Sequence, residues 1–546
     1  MHIISILGLF TLLGIAWLLS YHKTKIRLKP ILWGVGLQFL FALIILRNDK
    51  FSFIGMGILG ILIVTYILQK DDQKLGSGYK AMIIVVLGSI AVWTLFYLLH
   101  PTVSQWVLIL SLIFLIVNSI KKFYQPAQRY AGVLFVISGI AFLVTHGFHG
   151  QVIFKGFSDK IAGFLSLSDY GAKFLFSNLA DNRFFGPWVP DFPNAGTWPG
   201  FGFQFGFKVL PTIIFFGGFM SVLYHLGIMQ KVIEAMSKFM RWTIGTSGAE
   251  TLSCSANIFV GQTEAPLLIK PFLNKMTKSE LLTVMVGGFA TIAGGVLAGY
   301  ISMGIPAGHL IAASVMSAPA ALVVGKIIFP EREHSQTAGD VALPKIKVGD
   351  NVIEAAANGI TDGLKLAVNV GAMLIGFIAL IAVIDVILNY ADLLIDGKFL
   401  KGDYIRYAAS GMSPAIGEFR GIIPGSLQTF FGTLLRPLAW MMGVPWEYAD
   451  KVGNLLGIKL SLNEFVAYGT LGAYINDGIL SQRAITIATY ALCGFANFSS
   501  IGIQLGGISA LAPNRKSDLA KIGLKAMFGG AIASFMTATI AGFLIN

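Results

Sequence analysis

The sequence predicts an all-α polytopic membrane protein with about twelve transmembrane helices and two re-entrant hairpins, arranged as an inverted-topology repeat with unwound helices. Three observations predict this fold. Of the 546 residues, 55% are hydrophobic and only 12% are charged, about half the charged share of a soluble protein. Apolar runs long enough to cross a bilayer recur along the chain. One polar motif also occurs twice between apolar runs that are each too short to cross, so the chain is expected to turn back at both copies.

The repeated motif is Asn-x-Phe-Val, which begins at Asn257 and again at Asn463. A Gly-Phe-Ala sequence follows each copy at the same distance, at Gly288 and at Gly494. Close to each Gly-Phe-Ala sequence, Gly residues and residues with hydroxyl groups interrupt the apolar run of the helix that follows the hairpin. Such interruptions predict unwound points, which expose backbone carbonyls and helix ends near the middle of a membrane.

Residues 1–150 predict six transmembrane helices joined by short polar links. Basic residues concentrate after the first, third and fifth helices, as Lys25, Lys74 and Lys122 illustrate. The positive-inside rule places these links in the cytoplasm and the N-terminus outside it. The six helices are expected at about 3–21, 30–46, 51–69, 81–99, 103–120 and 130–147.

The next part of the chain is more polar and rich in Gly, Pro and aromatic residues over 155–205. This composition predicts an outer interfacial helix and loop, with His149 and Trp198 facing outward. Residues 210–226 then cross inward. Residues 231–242 predict an amphipathic helix on the inner surface.

The two hairpins are expected to enter the membrane from opposite sides. The first enters from the inner side, and three predicted crossings separate it from the second, at about 447–475. Three is an odd number, so the second enters from the outer side, which makes the two halves an inverted repeat. The remaining crossings are expected at about 281–301, 308–329, 364–388, 484–504 and 522–544, with Arg515 in an inner loop.

These boundaries divide the chain into six segments. The N-terminal half holds two scaffold helices, an inserted four-helix bundle, and interfacial helices with a further scaffold helix, over 1–47, 48–150 and 151–245. Then follow the transport domain with the first hairpin and its repeat, a cytoplasmic linker with a scaffold helix and an outer segment, and the transport domain with the second hairpin and its repeat, over 246–330, 331–440 and 441–546.

The hairpin tips place carboxylates, at Glu264 and Glu464, where a bare charge would cost about 2.5–3.5 kcal/mol. They are tolerated there only if they line a watery cavity or bind something. With the neighbouring amides, hydroxyls and one aromatic ring, they predict a site for an uncharged polar solute with adjacent hydroxyls and a flat ring. Cys254 and Cys493 are interpreted as small apolar filler. The net charge of +13 falls largely in loops and does not indicate a nucleic-acid partner.

Three motifs, at 261–264, 463–468 and 493–500, resemble signatures of the concentrative nucleoside transporter family. The resemblance covers about residues 1–47 and 155–546, so the chain is similar to a prokaryotic member with four extra helices over 48–150. It implies a symporter that takes up nucleosides across the inner (plasma) membrane, with both termini outside the cytoplasm. It also implies a homotrimer and an elevator-like movement of a transport domain against a scaffold.

The resemblance also implies roles for individual residues. The first hairpin and the helix after it would hold the nucleobase and the second half the ribose, with Glu264 contributing from the first tip. The implied base contacts are Gln262, Thr263, Val296 and Phe495, and the implied ribose contacts are Glu464, Asn497 and Ser500.

Sodium is the expected coupling ion, with no other cofactor. A hard cation takes several oxygen ligands, which the side chains of Asn257 and Thr291 and the carbonyls of Val260 and Ile292 supply. These positions match the family's sodium-site pattern, and sodium is favoured over proton coupling because a proton would need a titrating ligand. A proton symporter, a carrier of a free base or sugar, a channel, and an intramembrane enzyme using both carboxylates stay open as alternatives. No catalytic motif supports the enzyme.

Overall fold

The computed structural model describes residues 2–69, 79–98, 101–121, 125–181, 183, 204–337, 339, 348–404 and 421–545. Eight helices in these ranges are long and apolar enough to cross a membrane, and four shorter apolar helices accompany them. They lie where the apolar runs predict them, which confirms the all-α polytopic fold class. Lys74, Lys122 and Trp198, three of the residues used to predict the topology, lie outside the described ranges.

Between residues 50 and 145, the described residues form four helices that pack together after the first two helices. A small core of Val64, Phe96, Ile137 and Ala141 holds this bundle together, and the Trp93 indole donates to the carbonyl of Ile137 at 3.2 Å. The six N-terminal helices are α1 (His2–Leu18), α2 (Leu28–Leu46), α3 (Lys50–Leu68), α4 (Tyr79–Leu98), α5 (Pro101–Lys121) and α6 (Gln125–Thr145).

The next four helices include the predicted amphipathic one, which buries one face. They are α7 (Gly150–Leu165), α8 (Ser168–Phe176), α9 (Phe205–His225) and α10 (Ile228–Ile244). The inserted bundle docks on this part through α3. The Ser52 hydroxyl accepts from the amide of Gly150 at 2.9 Å and donates to the carbonyl of Ile44 at 3.0 Å. The indole of Trp242 on α10 donates to Gln69 at 2.9 Å.

Two helical hairpins follow the predicted pattern. The first consists of α11 (Gly248–Ala256), a turn, and α12 (Ala265–Leu268), and it leads into α13 (Lys278–Ala290), α14 (Gly294–Ser302) and α15 (Ala307–Ile328). The second half of the chain contains α16 (Val352–Asp392), α17 (Leu427–Met441), α18 (Trp446–Ser461), α19 (Glu464–Asn476), α20 (Gln482–Leu492), α21 (Phe498–Leu511) and α22 (Lys516–Leu544). In this half, α18 and α19 form the second hairpin.

One predicted crossing lies within a helix that is longer than the crossing. The crossing expected at 364–388 is α16, a helix of 41 residues. The helix begins earlier than the predicted crossing because Asn351 caps it, with a side chain that accepts from the amide of Glu354 at 2.9 Å. Asp362 and Lys365 lower the hydropathy of this part of the chain, but the helix continues through them. The segment 391–440, for which no fold was predicted, contains the end of α16 and all but the last residue of α17; residues 405–420 lie outside the described ranges.

The packing joins the elements into two groups. Helix α9 packs along α16 so closely that a side chain at Gly217 would meet the carbonyl of Gly359. Helices α1 and α2 pack mainly on α22 and α15, which belong to the predicted transport domain. The division into scaffold and transport domains stays a prediction, and the packing associates residues 1–47 with the second group.

The loops lie at two ends of this helix assembly. At one, the Arg515 end, the guanidinium of Arg515 donates to the carbonyl of Met276 at 2.6 Å, and Tyr21 donates from its amide to Ile328. At the other, the Arg483 end, the guanidinium of Arg483 donates to the carbonyls of Gly443 and Ile545. The base of the first hairpin therefore lies at the Arg515 end and the base of the second at the Arg483 end.

Candidate functional site

Both predicted unwound points are present and lie side by side. Residues 291–293 separate α13 from α14, and residues 493–497 separate α20 from α21. Gly494 has φ +121, a conformation that side chains disfavour. A Cβ at Gly494 would lie 2.6 Å from the carbonyl oxygen of Phe289. The second break therefore presses directly against the end of α13, and only glycine fits between them.

The Glu464 carboxylate is buried at the start of α19, with 4% of the residue exposed. Its two oxygens have different partners: Oε1 accepts from the Tyr300 hydroxyl at 3.0 Å, and Oε2 accepts from Asn497 Nδ2 at 3.2 Å. Both donors are neutral. Asn463 caps the helix that carries Glu464, because its side chain accepts from the amide of Val466 at 3.0 Å.

Asn497 links this carboxylate to the second broken helix. It is the N-cap of α21, and its Oδ1 accepts from the amide of Ser500 at 2.9 Å and from the hydroxyl of Ser499 at 2.7 Å. An N-cap side chain occupied in this way has a fixed orientation. The amide nitrogen of Asn497 is consequently directed at Glu464.

The first hairpin joins the same chain of hydrogen bonds from the other side. Gln262 Nε2 donates to the hydroxyl of Ser500 at 3.3 Å, and Gln504 Nε2 donates to Gln262 Oε1 at 3.0 Å and to the carbonyl of Met285 at 3.1 Å. Contacts therefore run from Glu464 on the second hairpin to the tip of the first. Four predicted residues, Gln262, Glu464, Asn497 and Ser500, are brought together.

The other four predicted substrate residues are placed more loosely. Val296 is buried on α14 one turn before Tyr300, Thr263 is half-buried with its methyl group against Gly507, and Phe495 is half-buried within the second break. Glu264 stands apart from the Glu464 chain. Its carboxylate lies over Gly261, and its side chain is exposed. Its contribution to a site stays a prediction.

Two members of this hydrogen-bonded chain were missed by the sequence analysis, Tyr300 and Gln504. Each follows a predicted residue by four positions on a helix, Tyr300 after Val296 and Gln504 after Ser500. Residues four apart lie on one helix face. Helical spacing from the predicted residues was therefore the only available signal.

The residues proposed for sodium fit a cation. Asn257 ends α11 and is fully buried, and neither its side-chain oxygen nor its nitrogen has a hydrogen-bond partner. Ser253, one turn earlier, also has a buried hydroxyl without a partner. Thr291 donates its hydroxyl proton to the carbonyl of Gly287 at 2.8 Å, which leaves its oxygen lone pairs available. Unpartnered buried polar atoms are costly, and an oxygen-seeking ion between α11 and the first break would use them.

Three family models match the chain. They are described as the Na+ dependent nucleoside transporter N-terminus, over residues 7–67, nucleoside recognition (Gate), over 206–307, and the Na+ dependent nucleoside transporter C-terminus, over 309–542. Together they cover most of the chain outside residues 68–205, and the first of them extends over α3, which the prediction had assigned to the inserted bundle. They match both hairpins and both broken helices.

Individual proteins with similar sequences are also named as transporters. An uncharacterized transporter of Haemophilus influenzae is 41% identical over 423 residues, 76% of this chain and 91% of the relative. The nucleoside permease NupC of Helicobacter pylori is 42% identical over 401 residues, 73% of this chain and 86% of the relative. Sodium/nucleoside cotransporter 1 of the mouse is 42% identical over 410 residues, 72% of this chain and 56% of the longer mouse protein.

Solved structures share the whole architecture. The structure of CNTnw in an inward-facing substrate-bound state has a TM-score of 0.68 and 32% identity, covering 100% of this chain and 99% of the other. A CNTnw variant in an outward-facing state has a TM-score of 0.70 and 31% identity, covering 100% and 98%. With the matching family models and the paired hairpins and breaks, these likenesses show that the chain belongs to the concentrative nucleoside transporter family, whose members are transporters and not enzymes.

Proposed function

We propose that this protein is a symporter that takes up nucleosides into the cell and is driven by a sodium gradient. The observation that carries the proposal is the buried Glu464 carboxylate, whose hydrogen-bond donors among the described residues are the neutral groups of Tyr300 and Asn497. Each carboxylate oxygen can accept more than one hydrogen bond. Glu464 therefore keeps acceptor capacity for two adjacent hydroxyls, as a ribose presents. The names of the matching family models support the same solute.

The base would lie toward the first hairpin. The Gln262 amide supplies polar contacts there, and Thr263, Val296 and Phe495 supply the less polar surface that a flat ring needs. Ser500 and Asn497 would complete the ribose side beside Glu464. Glu264 would contribute from the first hairpin tip, where the residue is exposed.

The ribose assignment is tested with Glu464→Gln. A hydrogen bond to a charged group contributes about 1.5–3 kcal/mol, so the affinity for uridine should fall by about 10- to 150-fold. The discrimination against 3′-deoxyuridine should fall with it, because the substitution replaces one of the two acceptor oxygens with an NH2 donor, so that the two ribose hydroxyls no longer each face a carboxylate oxygen. Unchanged uridine uptake and unchanged discrimination would refute the assignment. Competition by adenosine, uracil and ribose separates a nucleoside carrier from a carrier of free bases or sugars.

Sodium coupling is supported by the unpartnered side chain of Asn257, which lies near Gly287, the residue whose carbonyl accepts from Thr291. Val260 and Ile292 would add backbone carbonyls. Uptake into proteoliposomes is measured with a sodium gradient at fixed pH, and then with a pH gradient in choline medium. We expect accumulation only with sodium and a weakened sodium response in Asn257→Ala. Accumulation that follows the pH gradient alone would favour the alternative, a proton symporter.

The inverted repeat is supported by the positions of the hairpin bases, one at the Arg515 end and the other at the Arg483 end. With the positive-inside rule, the Arg515 end faces the cytoplasm and both termini lie outside, in the inner (plasma) membrane. An impermeant thiol reagent added to intact cells should label His146→Cys but not Lys25→Cys. The reverse pattern would overturn this orientation.

An elevator-type movement and a homotrimer complete the proposal. The contact between α9 and α16 is built on glycines, which suits a rigid scaffold, while both hairpins pack with α13, α15, α20 and α22 as a second body. Cysteine cross-links between these two bodies should form in alternative pairs when sodium and nucleoside are changed. The mass of the detergent-solubilised protein should equal three chains, and a monomeric mass with full binding would contradict the trimer.

A further inference from the structure

Lys459 is a buried cation on the second hairpin. It lies near the end of α18, and none of its side chain is exposed. Its ammonium donates to the carbonyl of Ala491 at 2.9 Å and to the carbonyl of Cys493 at 3.3 Å. The ring of Phe535 faces the ammonium at 5.6 Å. Lys459 therefore connects the second hairpin to the end of α20.

A buried ammonium is costly unless its surroundings replace water. Within the described ranges no carboxylate forms an ion pair with Lys459. Its partners are instead the last carbonyls of α20, a helix end that carries a partial negative charge of about half an electron, and an aromatic face, which attracts cations. Carbonyl oxygens at a helix end are also the ligands that a dehydrated sodium ion uses.

The first repeat has a different residue at the corresponding place. Lys459 precedes Asn463 by four residues, and Ser253 precedes Asn257 by the same interval. Ser253 and Asn257 are both buried, and their side-chain oxygens have no partner. In the first half, Asn257 lies near Gly287, close to the end of α13, and in the second half Lys459 contacts the end of α20.

Lys459 and Ser253 occupy corresponding positions in the two repeats, but the carbonyl groups around these positions do not correspond one to one. The Gly-Phe-Ala sequence belongs to α13 in the first half, whereas in the second half it follows the end of α20. The helix end in the second half is therefore displaced along the chain. Both halves have a helix end with a partial negative charge beside a hairpin. In the second half the ammonium of Lys459 lies there, and in the first half the unpartnered oxygens of Ser253 and Asn257 lie there.

We infer that Lys459 is a resident cation that takes, in the second repeat, the place that a sodium ion takes in the first, so that each nucleoside moves with a single sodium ion. This inference rests on the proposed sodium coupling. Lys459 acts as a positioning residue, because it holds the second break through Ala491 and Cys493 and does not itself touch the substrate. Removing its charge should create a second place for sodium.

The experiment measures coupling in proteoliposomes that contain the full chain. A uridine gradient is balanced against a sodium gradient and a membrane potential, and the condition of zero net flux gives the number of sodium ions per uridine. Wild type and Lys459→Arg should give about one. Lys459→Met should give about two, with an initial rate that rises with about the square of the sodium concentration. Lys451→Met is the matched control on the same helix, since Lys451 is half-buried and forms an ion pair with Asp450 at 3.8 Å, and it should give about one.

The outcomes separate the two proposals. A sodium-driven wild type that moves about two sodium ions per uridine overturns this inference and leaves the proposed function intact. Uptake that does not depend on sodium would refute both the proposed sodium coupling and the inference about Lys459. If Lys459→Met does not transport, the thermal stability of the purified variant decides. Sodium should raise its Tm over choline more than it raises that of wild type or Lys451→Met, because the ion fills the vacated place. An equal rise in all three would refute the inference.

Discussion

Removing the Tyr300 hydroxyl should weaken nucleoside uptake without disturbing the fold. The ring of Tyr300 is fully buried between Phe465 and Tyr468, at centroid distances of 4.7 Å and 4.4 Å, and Tyr300→Phe keeps that packing. The variant loses the 3.0 Å hydrogen bond to Glu464 Oε1. A hydrogen bond to a charged group contributes about 1.5–3 kcal/mol, so the apparent affinity for uridine should fall by about 10- to 150-fold.

The assay is initial-rate uptake of labelled uridine and of 3′-deoxyuridine at one saturating sodium concentration. Because Tyr300 orients the carboxylate that accepts from the ribose, uridine should lose more affinity than the analogue. Tyr468→Phe is the matched control: its hydroxyl is equally buried but donates to the carbonyl of Thr489 at 2.8 Å. This control should keep the ratio between the two solutes. A loss of less than about twofold in Tyr300→Phe, or an equal loss for both solutes, would refute the reasoning.

Three further substitutions test the packing around the site. Gly494→Ala should lower the free energy of unfolding by about 2–5 kcal/mol, because a left-handed conformation costs a side chain about 1–2 kcal/mol and the overlap with Phe289 adds about 1–3 kcal/mol; denaturant unfolding in detergent measures it, and near-wild-type stability would contradict the tight contact. Arg483→Ala should lower the free energy of unfolding by about 1.5–3 kcal/mol. The uridine affinity of the folded fraction should stay unchanged, since the partners of Arg483 are the carbonyls of Gly443, Gly542 and Ile545, which are not part of the hydrogen-bonded chain at Glu464. Ser52→Ala should cost about 1–3 kcal/mol and make the inserted bundle more sensitive to limited proteolysis, because the amide of Gly150 loses its acceptor; an unchanged digestion pattern would show that the bundle is held by other contacts.

Much of the fold could be predicted from local pattern alone. Apolar runs of bilayer length mark the crossings, because only a helix satisfies its own backbone in lipid. The duplicated Asn-x-Phe-Val sequence predicted two re-entrant hairpins. The structure has a pair of helices joined by a turn at each copy, and their re-entrant course in a membrane stays a prediction. The bounds of α16 were less accessible, since Asp362 and Lys365 lower hydropathy at its start without a helix-breaking residue. Hydropathy reports where a helix meets lipid, not where it ends.

Even within the repeat, similar sequences have different local roles. Asn463 caps α19 and is saturated by the amide of Val466, whereas Asn257 ends α11 with both polar atoms unpartnered. No sequence pattern separates these two cases. The difference depends on which side of the turn each asparagine occupies.

The sequence by itself determined the helical class of the chain, the two interruptions, and most of the polar residues near them, because these depend on hydrophobicity and on the backbone freedom of glycine. The tertiary structure alone decided which polar residues meet. Tyr300 reaches Glu464 across 164 positions of the chain, and Gln504 reaches Gln262 across 242. The partner of a buried polar atom is selected by the packing of distant helices, and no local property of the chain encodes that choice.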